Sequence, residues 1–460
     1  MSPSLKPNQQ INVPVGLALP SKDLTPVRPR TFAERNLKNI QRWTVLPRGG
    51  HFVAMEFPKP LAEDMRAYFR PQHAKRRICG MGLRAQACRA ESLCATSAGE
   101  RMTPIDIAHQ RLFSQQIAQP TFAQPSEVVA WLGAVQAQDY LGALWAVGLR
   151  ISGATEQTIE QALAEKTIVR TWPMRGTIHF VAATDVRWML ELLAPRVIRR
   201  SKSRHTQLGL DETVISASAK VITKALHGGK QLPRNALYAL LEREHIATGS
   251  SRGLHILGRL AHDRLICFGA RAGKQPTFAL LDEWVPDAKS LPHDQALAML
   301  ALRYFTGHGP ATVQDLMWWS GLTTTEAKAG LAAVATQLGR QVIAGQEYYF
   351  AQERTKATRR SLDAFLLPPF DEFLVSYRDR RASLDADYNT RVVPGGNGIF
   401  NPIIVIDGRV VGTWKRTLKK ASVELTFSPF TAFSDAQANA ITAAAERYGR
   451  FVGKRAIVTI

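Results

Sequence analysis

Two glutamines, Gln136 and Gln138, flank Ala137 in the string VQAQDY, between an apolar helical run and an acid followed by an aromatic. A primary amide neither gains nor loses a proton near neutral pH, so general acid or base work by the glutamines themselves is excluded. Each can still accept through its carbonyl and donate through its NH2. Those groups suit hydrolysis of a bond whose leaving group is already cationic, such as an N7- or N3-alkylated purine. There the protein need only hold a water beneath the sugar carbon and offer oriented dipoles to an oxocarbenium-like transition state. Asp139 is a candidate to orient that water or take its proton; the alternative is a helix cap. Residues two apart lie about 200° around an α-helix, so the pair shares a target only where the helix ends or unwinds. The following QDYLG makes such a break the expectation, while the same string also suits surface or helix-capping glutamines.

The elements that would carry the pair repeat one plan three times after Met102, two or three short helices followed by a two-stranded hairpin. In the first segment helices are expected at 105–116, at 126–135 and from Glu156, and the hairpin IVRTWPMRGTIHFV puts Arg175 at its tip. The second has helices expected at 212–226, 234–244 and 252–262, then the hairpin LICFGARAGKQPTFALL with Arg271 and Lys274 at its tip. The third runs from His293 through GPATVQDLMWWSG and LTTTEAKAGLAAVATQL to RQVIAGQEYYFA, with Thr323, Thr324 and Glu326 supplying N-cap chemistry. This is winged-helix order, and cationic wing tips suit phosphates or the minor groove. After Gln352 alternating apolar residues around an Asp-Gly turn predict a small β-barrel or sheet domain, closed by a helix over 435–447. The expected fold class is therefore α+β, tandem winged helices followed by a β-barrel-like domain, with limits at 102–205, 206–290, 291–355 and 356–460. Candidate DNA contacts are Arg175, Arg252, Arg271, Lys274, Arg391, Asn397 in PGGNG, Lys415 and Arg416. Trp172, Trp318, Trp319 and Trp414 read as core.

At 460 residues the chain is long enough for about two to four domains. Its formal charge of +21 points to a polyanionic partner, nucleic acid being the commonest. Nearly half of that charge lies in residues 1–101, so the signal from the remainder is moderate. There is no apolar run long enough to span a membrane and no signal-peptide pattern, which predicts a soluble cytoplasmic protein. Cys79, Cys88, Cys94 and Cys267 match neither a zinc site nor a redox pair, so free thiols in a reducing compartment are expected.

Residues 17–72 resemble the C-terminal tail of an α/β-hydrolase of the epoxide hydrolase family, chiefly through RWTVLPRGGHFVAMEFP, where His51 matches the triad base. The nucleophile elbow and most of the sheet would be missing, so a non-functional leader over 1–101 is expected. The body carries a second resemblance. VQAQDY, VRTWPMRGTIHFV, GPATVQDLMWWSGL, LLPPFDEFLVSYRDR, VVPGGNGIF and DGRVVGTWKR, in this order, resemble the AlkZ-like winged-helix DNA glycosylases. The resemblance implies a C-shaped clamp of tandem winged helices and a β-barrel, with Gln136 and Gln138 as the Gln-hydrophobe-Gln signature. It implies excision of alkylated purines, in some members from interstrand crosslinks, by a monomer acting on double-stranded DNA in the cytoplasm or on the nucleoid. A groove-probing hairpin is also implied, either the one carrying Arg271 and Lys274 or the PGGNG segment. No lysine adjoins the signature, so an abasic product without strand scission is expected, with no metal or organic cofactor. An open cleft is expected rather than a pocket for a rotated base. The rival reading is a non-catalytic winged-helix DNA-binding protein such as a transcriptional regulator.

Overall fold

The computed structural model describes residues 15–20, 40–46, 104–352, 363–396 and 398–459, and the chain divides into two compact units, Met1–Ala98 and Gly99–Ile460. In the first unit the described residues form two parallel strands, β1 (Val15–Pro20) and β2 (Ile40–Leu46). His51, Cys79, Cys88 and Cys94 lie outside the described residues.

The second unit opens with helices α1 (Pro104–Ser114) and α2 (Pro125–Leu132). Pro at the first position of α2 and Glu127 reaching back to the Gln124 N–H (2.8 Å) start the helix, and Gly133 at φ 75° ends it. A side chain at Gly133 would be strained, and its Cβ would approach Trp319 to 3.2 Å. The chain then extends into the two-residue strand β3 (Val135–Gln136), where a helix over 126–135 was expected. Helices α3 (Tyr140–Gly148) and α4 (Glu156–Ala164) follow, then the hairpin of β4 (Ile168–Met174) and β5 (Thr177–Ala182). Arg175 and Gly176 both have positive φ, the requirement of a type I′ turn. No local signal marks residues 186–207, yet they form the 22-residue helix α5 (Val186–Gln207), with Pro195 inside. Proline removes a ladder hydrogen bond there, and packing of ten buried residues along α5 offsets the loss.

The second segment folds as expected, with α6 (Glu212–Leu226), β6 (Leu232–Pro233), α7 (Arg234–Arg243), α8 (Arg252–His262), β7 (Ile266–Phe268) and β8 (Thr277–Leu280). So does the third, with α9 (His293–His308), α10 (Val313–Ser320), α11 (Thr324–Val334) and the hairpin of β9 (Leu338–Ile343) and β10 (Gln346–Ala351). Thr323 caps α11 and closes a capping box with Glu326. The hairpins of the first two segments do not stay separate. They merge into a six-stranded sheet of order β3-β5-β4-β7-β8-β6, joined where Arg170 pairs with Phe268, whereas β9 and β10 stand as their own two-stranded sheet.

The C-terminal strands β11 (Ala364–Leu367), β12 (Ile403–Ile406), β13 (Arg409–Leu418), β14 (Ser422–Pro429) and β15 (Arg455–Thr459) form one sheet in linear order. The Asp407-Gly408 turn has both φ positive, as its sequence requires. A short helix α12 (Glu372–Val375) follows β11, and α13 (Asp435–Phe451) packs on β11 and β15, running four residues past the expected end. Among the described residues this is an open sheet backed by a helix, where a barrel-like domain was expected.

Buried cores cross the segment limits. Helices α2 to α4 share one core with the C-terminal sheet: the Trp145 Nε1–H donates to the Leu366 carbonyl (2.7 Å), and its ring lies 4.9 Å from that of Phe451. Helix α5 shares another with α9 to α11, and the second segment holds its own. Trp172, Trp319 and Trp414 are core residues, but Trp318 is 46% exposed. Adjacent positions on a helix point about 100° apart, so Trp318 and Trp319 cannot both face the core. Cys267 is a free, buried thiol whose pKa burial pushes up. Among the described residues no helix is long and apolar enough to cross a membrane.

Candidate active site

Extended backbone, not a helix end, brings the two glutamines to one side. Gln136 pairs with His179 across β3 and β5, and Ala137 N–H continues the ladder to the Ile178 carbonyl (2.7 Å). Side chains two apart on an extended chain project the same way. Ala137 faces inward with zero exposure, Gln136 is 8% exposed and Gln138 is exposed.

Both amides are oriented by protein donors. The Arg175 Nη2–H donates to Gln136 Oε1 (3.2 Å), and the Ile178 N–H donates to Gln138 Oε1 (3.3 Å). A nitrogen at either position would oppose donor to donor, so the carbonyls face the protein. Among the described residues no acceptor holds either NH2. The pair therefore presents hydrogen-bond donors outward.

Beneath Gln136 lies a residue that no catalytic motif in the sequence marks. Glu372 on α12 is completely buried; its Oε1 accepts from the Gln136 N–H (2.9 Å) and its Oε2 from the Trp319 Nε1–H (2.9 Å) and the Ser376 hydroxyl. His308 Nε2 stands 3.7 Å from Oε2. Burial alone pushes this carboxyl up, but the nearby His308 imidazole, the Ser376 hydrogen bond and His179 outweigh it and hold it at about 2. The neighbouring His179 is buried with its Nδ1–H donating to the Thr177 carbonyl (3.0 Å); burial first and Arg175 second lower its pKa to about 4, so it is neutral near pH 7. Next to Glu372, Asp371 forms a two-pronged buried pair with Arg150, at 2.9 Å to each oxygen. Two acids inside the apolar run LLPPFDEFLV were the available signal, since buried carboxylates require partners.

On the other flank Arg170 Nη2–H donates to the Ala137 carbonyl (3.0 Å), its guanidinium 5.1 Å from the Tyr140 ring and 4.5 Å from that of Phe268. Burial lowers its pKa to about 10. The Tyr140 hydroxyl donates to Glu160 (2.6 Å), and burial followed by that carboxylate raises its pKa. Beyond these residues a cleft of about 520 Å³ separates α4 from the β7–β8 hairpin. Asp139 stands at the N-cap position of α3 but makes no side-chain cap. Its carboxylate lies over Gly142, where a Cβ would come within 2.6 Å, and 3.6 Å from Arg416 Nη2.

The expected DNA contacts divide. Lys274 and Lys415 are exposed. Arg175 sits at its hairpin tip, but its side chain folds back onto Gln136, and burial lowers its pKa. Arg271 turns onto Tyr140 (4.5 Å) and Glu160 (3.3 Å), and Arg252 donates to the Ala247 (2.9 Å) and Leu208 carbonyls. Arg416 donates to the Tyr448 hydroxyl (2.7 Å), and Arg391 to the Pro429 carbonyl (2.9 Å) above Phe430. Arginine's planar fork finds carbonyls and ring faces that lysine does not hold, which is why the tips differ. Asn397 lies outside the described residues. Missed altogether is the exposed run Arg199, Arg200, Lys202 and Arg204 on the second half of α5, legible as RRSKSR. It approaches the site at Gly321, where an added Cβ would come to 3.8 Å from Arg175 Cγ and 3.9 Å from Arg200 Nη1.

The profile of the family described as DNA glycosylase AlkZ-like matches residues 129–451. The "Interstrand DNA cross-link repair glycosylase" of Streptomyces sahachiroi is 25% identical over 338 residues, covering 70% of this chain and 88% of that protein. The solved structure of Streptomyces sahachiroi DNA glycosylase AlkZ shares the fold, with a TM-score of 0.66 at 22% identity over 78% of this chain and 100% of that one. The epoxide-hydrolase likeness of 17–72 is not borne out, the family match beginning only at residue 129. With a match over most of its length that contains Gln136, Gln138 and Glu372, the chain belongs to the AlkZ-like DNA glycosylase family.

Proposed function

We propose that this chain is a monofunctional DNA glycosylase that hydrolyses the N-glycosidic bond of N7- or N3-alkylated purines in double-stranded DNA, including purines tied into interstrand crosslinks. The observation that carries this reading is the pair of outward NH2 groups of Gln136 and Gln138, with Asp139 next in the chain. A water that accepts from a glutamine NH2 and donates to Asp139 keeps one lone pair for the sugar carbon. As the C1′–N bond breaks, its electron pair neutralises the cationic base, the water oxygen bonds to C1′, and a water proton passes to Asp139. The same carboxylate faces the developing oxocarbenium charge. This chemistry draws on no metal or organic cofactor, and it leaves an abasic site without strand scission.

Segments 102–205, 206–290 and 291–355 are read as winged helices and 356–460 as the β-rich domain, together forming a clamp that engages the duplex as a monomer on the nucleoid. Residues 1–101 are read as a leader outside this function. Lys274 and Lys415 are assigned to phosphates along with the α5 run, while Arg175 is reassigned to orienting Gln136.

The test is base release from duplex DNA carrying 7-methylguanine, measured for wild type, Gln136→Ala, Gln138→Ala and Asp139→Asn. Wild type should release free base, with strand breaks only after alkali, and each variant should lose about tenfold or more, as positioning and general-base effects predict. Release unaffected in the glutamine variants overturns the mechanism, and no release by wild type favours the regulator.

A further inference from the structure

We propose that the exposed indole of Trp318 is a stacking surface for a nucleobase of the DNA bound at the glutamine pair. Burying an aromatic of this size is strongly favourable, so 46% exposure of an ordered tryptophan beside a functional site calls for an occupant. The ring is fixed in place: its Nε1–H donates to the Val375 carbonyl (3.0 Å), and Arg380 lies 5.4 Å from its centre. Arg380 is itself held, donating through Nε to the Leu374 carbonyl (2.9 Å) and resting 4.9 Å from the Phe400 ring. Among the described residues no carboxylate lies within ion-pair distance of Arg380; Asp315 and Asp379 act on it from farther off.

Position identifies the occupant. Trp318 is next to Trp319, whose indole binds Glu372, the same carboxylate that accepts from the Gln136 N–H. Three residues on, Gly321 lies near Arg175 and Arg200, and Arg380 and Arg175 feel each other's charge. The exposed ring thus has the Arg380 guanidinium against it and, through Trp319 and Glu372, is tied to the paired amides. A flat apolar face with the Arg380 guanidinium beside it matches a base carried on a phosphodiester, because each base has a π face and each phosphate an anionic oxygen. An apolar protein partner would gain nothing from the flanking charges. Stacking there would hold the strand in register with the glutamines.

The inference rests on the glycosylase reading, and its test separates the two. The full chain is bound to duplex DNA with 7-methylguanine and, in turn, 2-aminopurine at each neighbouring position, for wild type, Trp318→Phe, Trp318→Leu and Trp318→Ala. Stacking predicts a 2-aminopurine emission change at one position, kept by Phe and lost by Leu and Ala, with affinity weakened roughly tenfold in the latter two. Equal binding and emission for wild type and Leu, or a loss shared equally by Phe and Leu, overturns the inference. Absence of base release by wild type sinks the glycosylase reading while leaving the stacking signal to be judged by itself.

Discussion

Replacing Glu372 by Gln changes one atom in the centre of the site, and the consequence is set by its partners. Every group that meets this carboxylate from Gln136, Trp319 and Ser376 is a donor. An amide keeps one acceptor and gains a donor, so it must abandon one side. Keeping the oxygen toward Trp319 and Ser376 saves two bonds and leaves the Gln136 N–H facing an NH2. The bond given up was to a charged acceptor, worth about 1.5–3 kcal/mol. For a unit of this size each kcal/mol lowers the melting temperature by roughly 1 °C, so a fall of about 2 °C is expected. Activity should fall further. Strand β3 is held to the C-terminal side of the unit by this contact, and displacement of Gln136 by a fraction of an ångström costs roughly tenfold or more in a reaction that depends on water placement. The assay pairs a thermal melt at pH 7.5 with single-turnover base release. The folded pKa of about 2 lies below the ordinary carboxylate value, so this group's stabilisation is complete at that pH and is lost only as pH falls from about 4.5 through 2. A variant that melts within 1 °C of wild type and releases base at the wild-type rate would refute the anchoring role.

Acid should act earlier through His179. Its folded pKa of about 4 is below the ordinary value, so the stability tied to its neutral form is full above about pH 6.5 and declines toward pH 4, costing about 2 kcal/mol by pH 5. Urea melts at pH 7.5 and 5 check this, and equal stability at the two values would contradict it. Converting Arg199, Arg200 and Lys202 to Ala should weaken binding to all duplexes alike and reduce the slope of log affinity against log salt by about 1 for each phosphate left without its cation. An unchanged slope, measured by anisotropy across a salt series, would move the phosphate track away from α5.

Much of the scaffold was legible because its signals are local. The Thr323 to Glu326 capping box, the Asp407-Gly408 turn and the bounds of α6 and α8 follow from residues close in sequence. Helix α5 was not legible because Pro195 and a polar second half dilute its apolar stripe, and only packing against β4, α8 and α9 rescues it. The glutamine pair was recognisable by type, but its geometry was not, since β3 owes its extended form to pairing with a strand some forty residues on. Its anchor, Glu372, is separated from Gln136 by 236 positions, a contact that no periodicity announces. Arginines at hairpin tips were misplaced for a related reason. Sequence locates the tip, whereas the side chain is long enough to return to a carbonyl, a ring or an amide below it.

The fusion of the first two hairpins into one sheet bears on how this protein can diversify. Pairing of Arg170 with Phe268 ties β4, the neighbour of the strand that pairs with Gln136, to the second module, and Trp172 stacks on Phe268 at 4.6 Å across the same junction. A chimera that imports a relative's second module alone would inherit a mismatched seam beneath the reacting groups. Sequence is therefore freer to drift at the separate β9–β10 ribbon and in surface loops, while the first two modules are constrained to be inherited together.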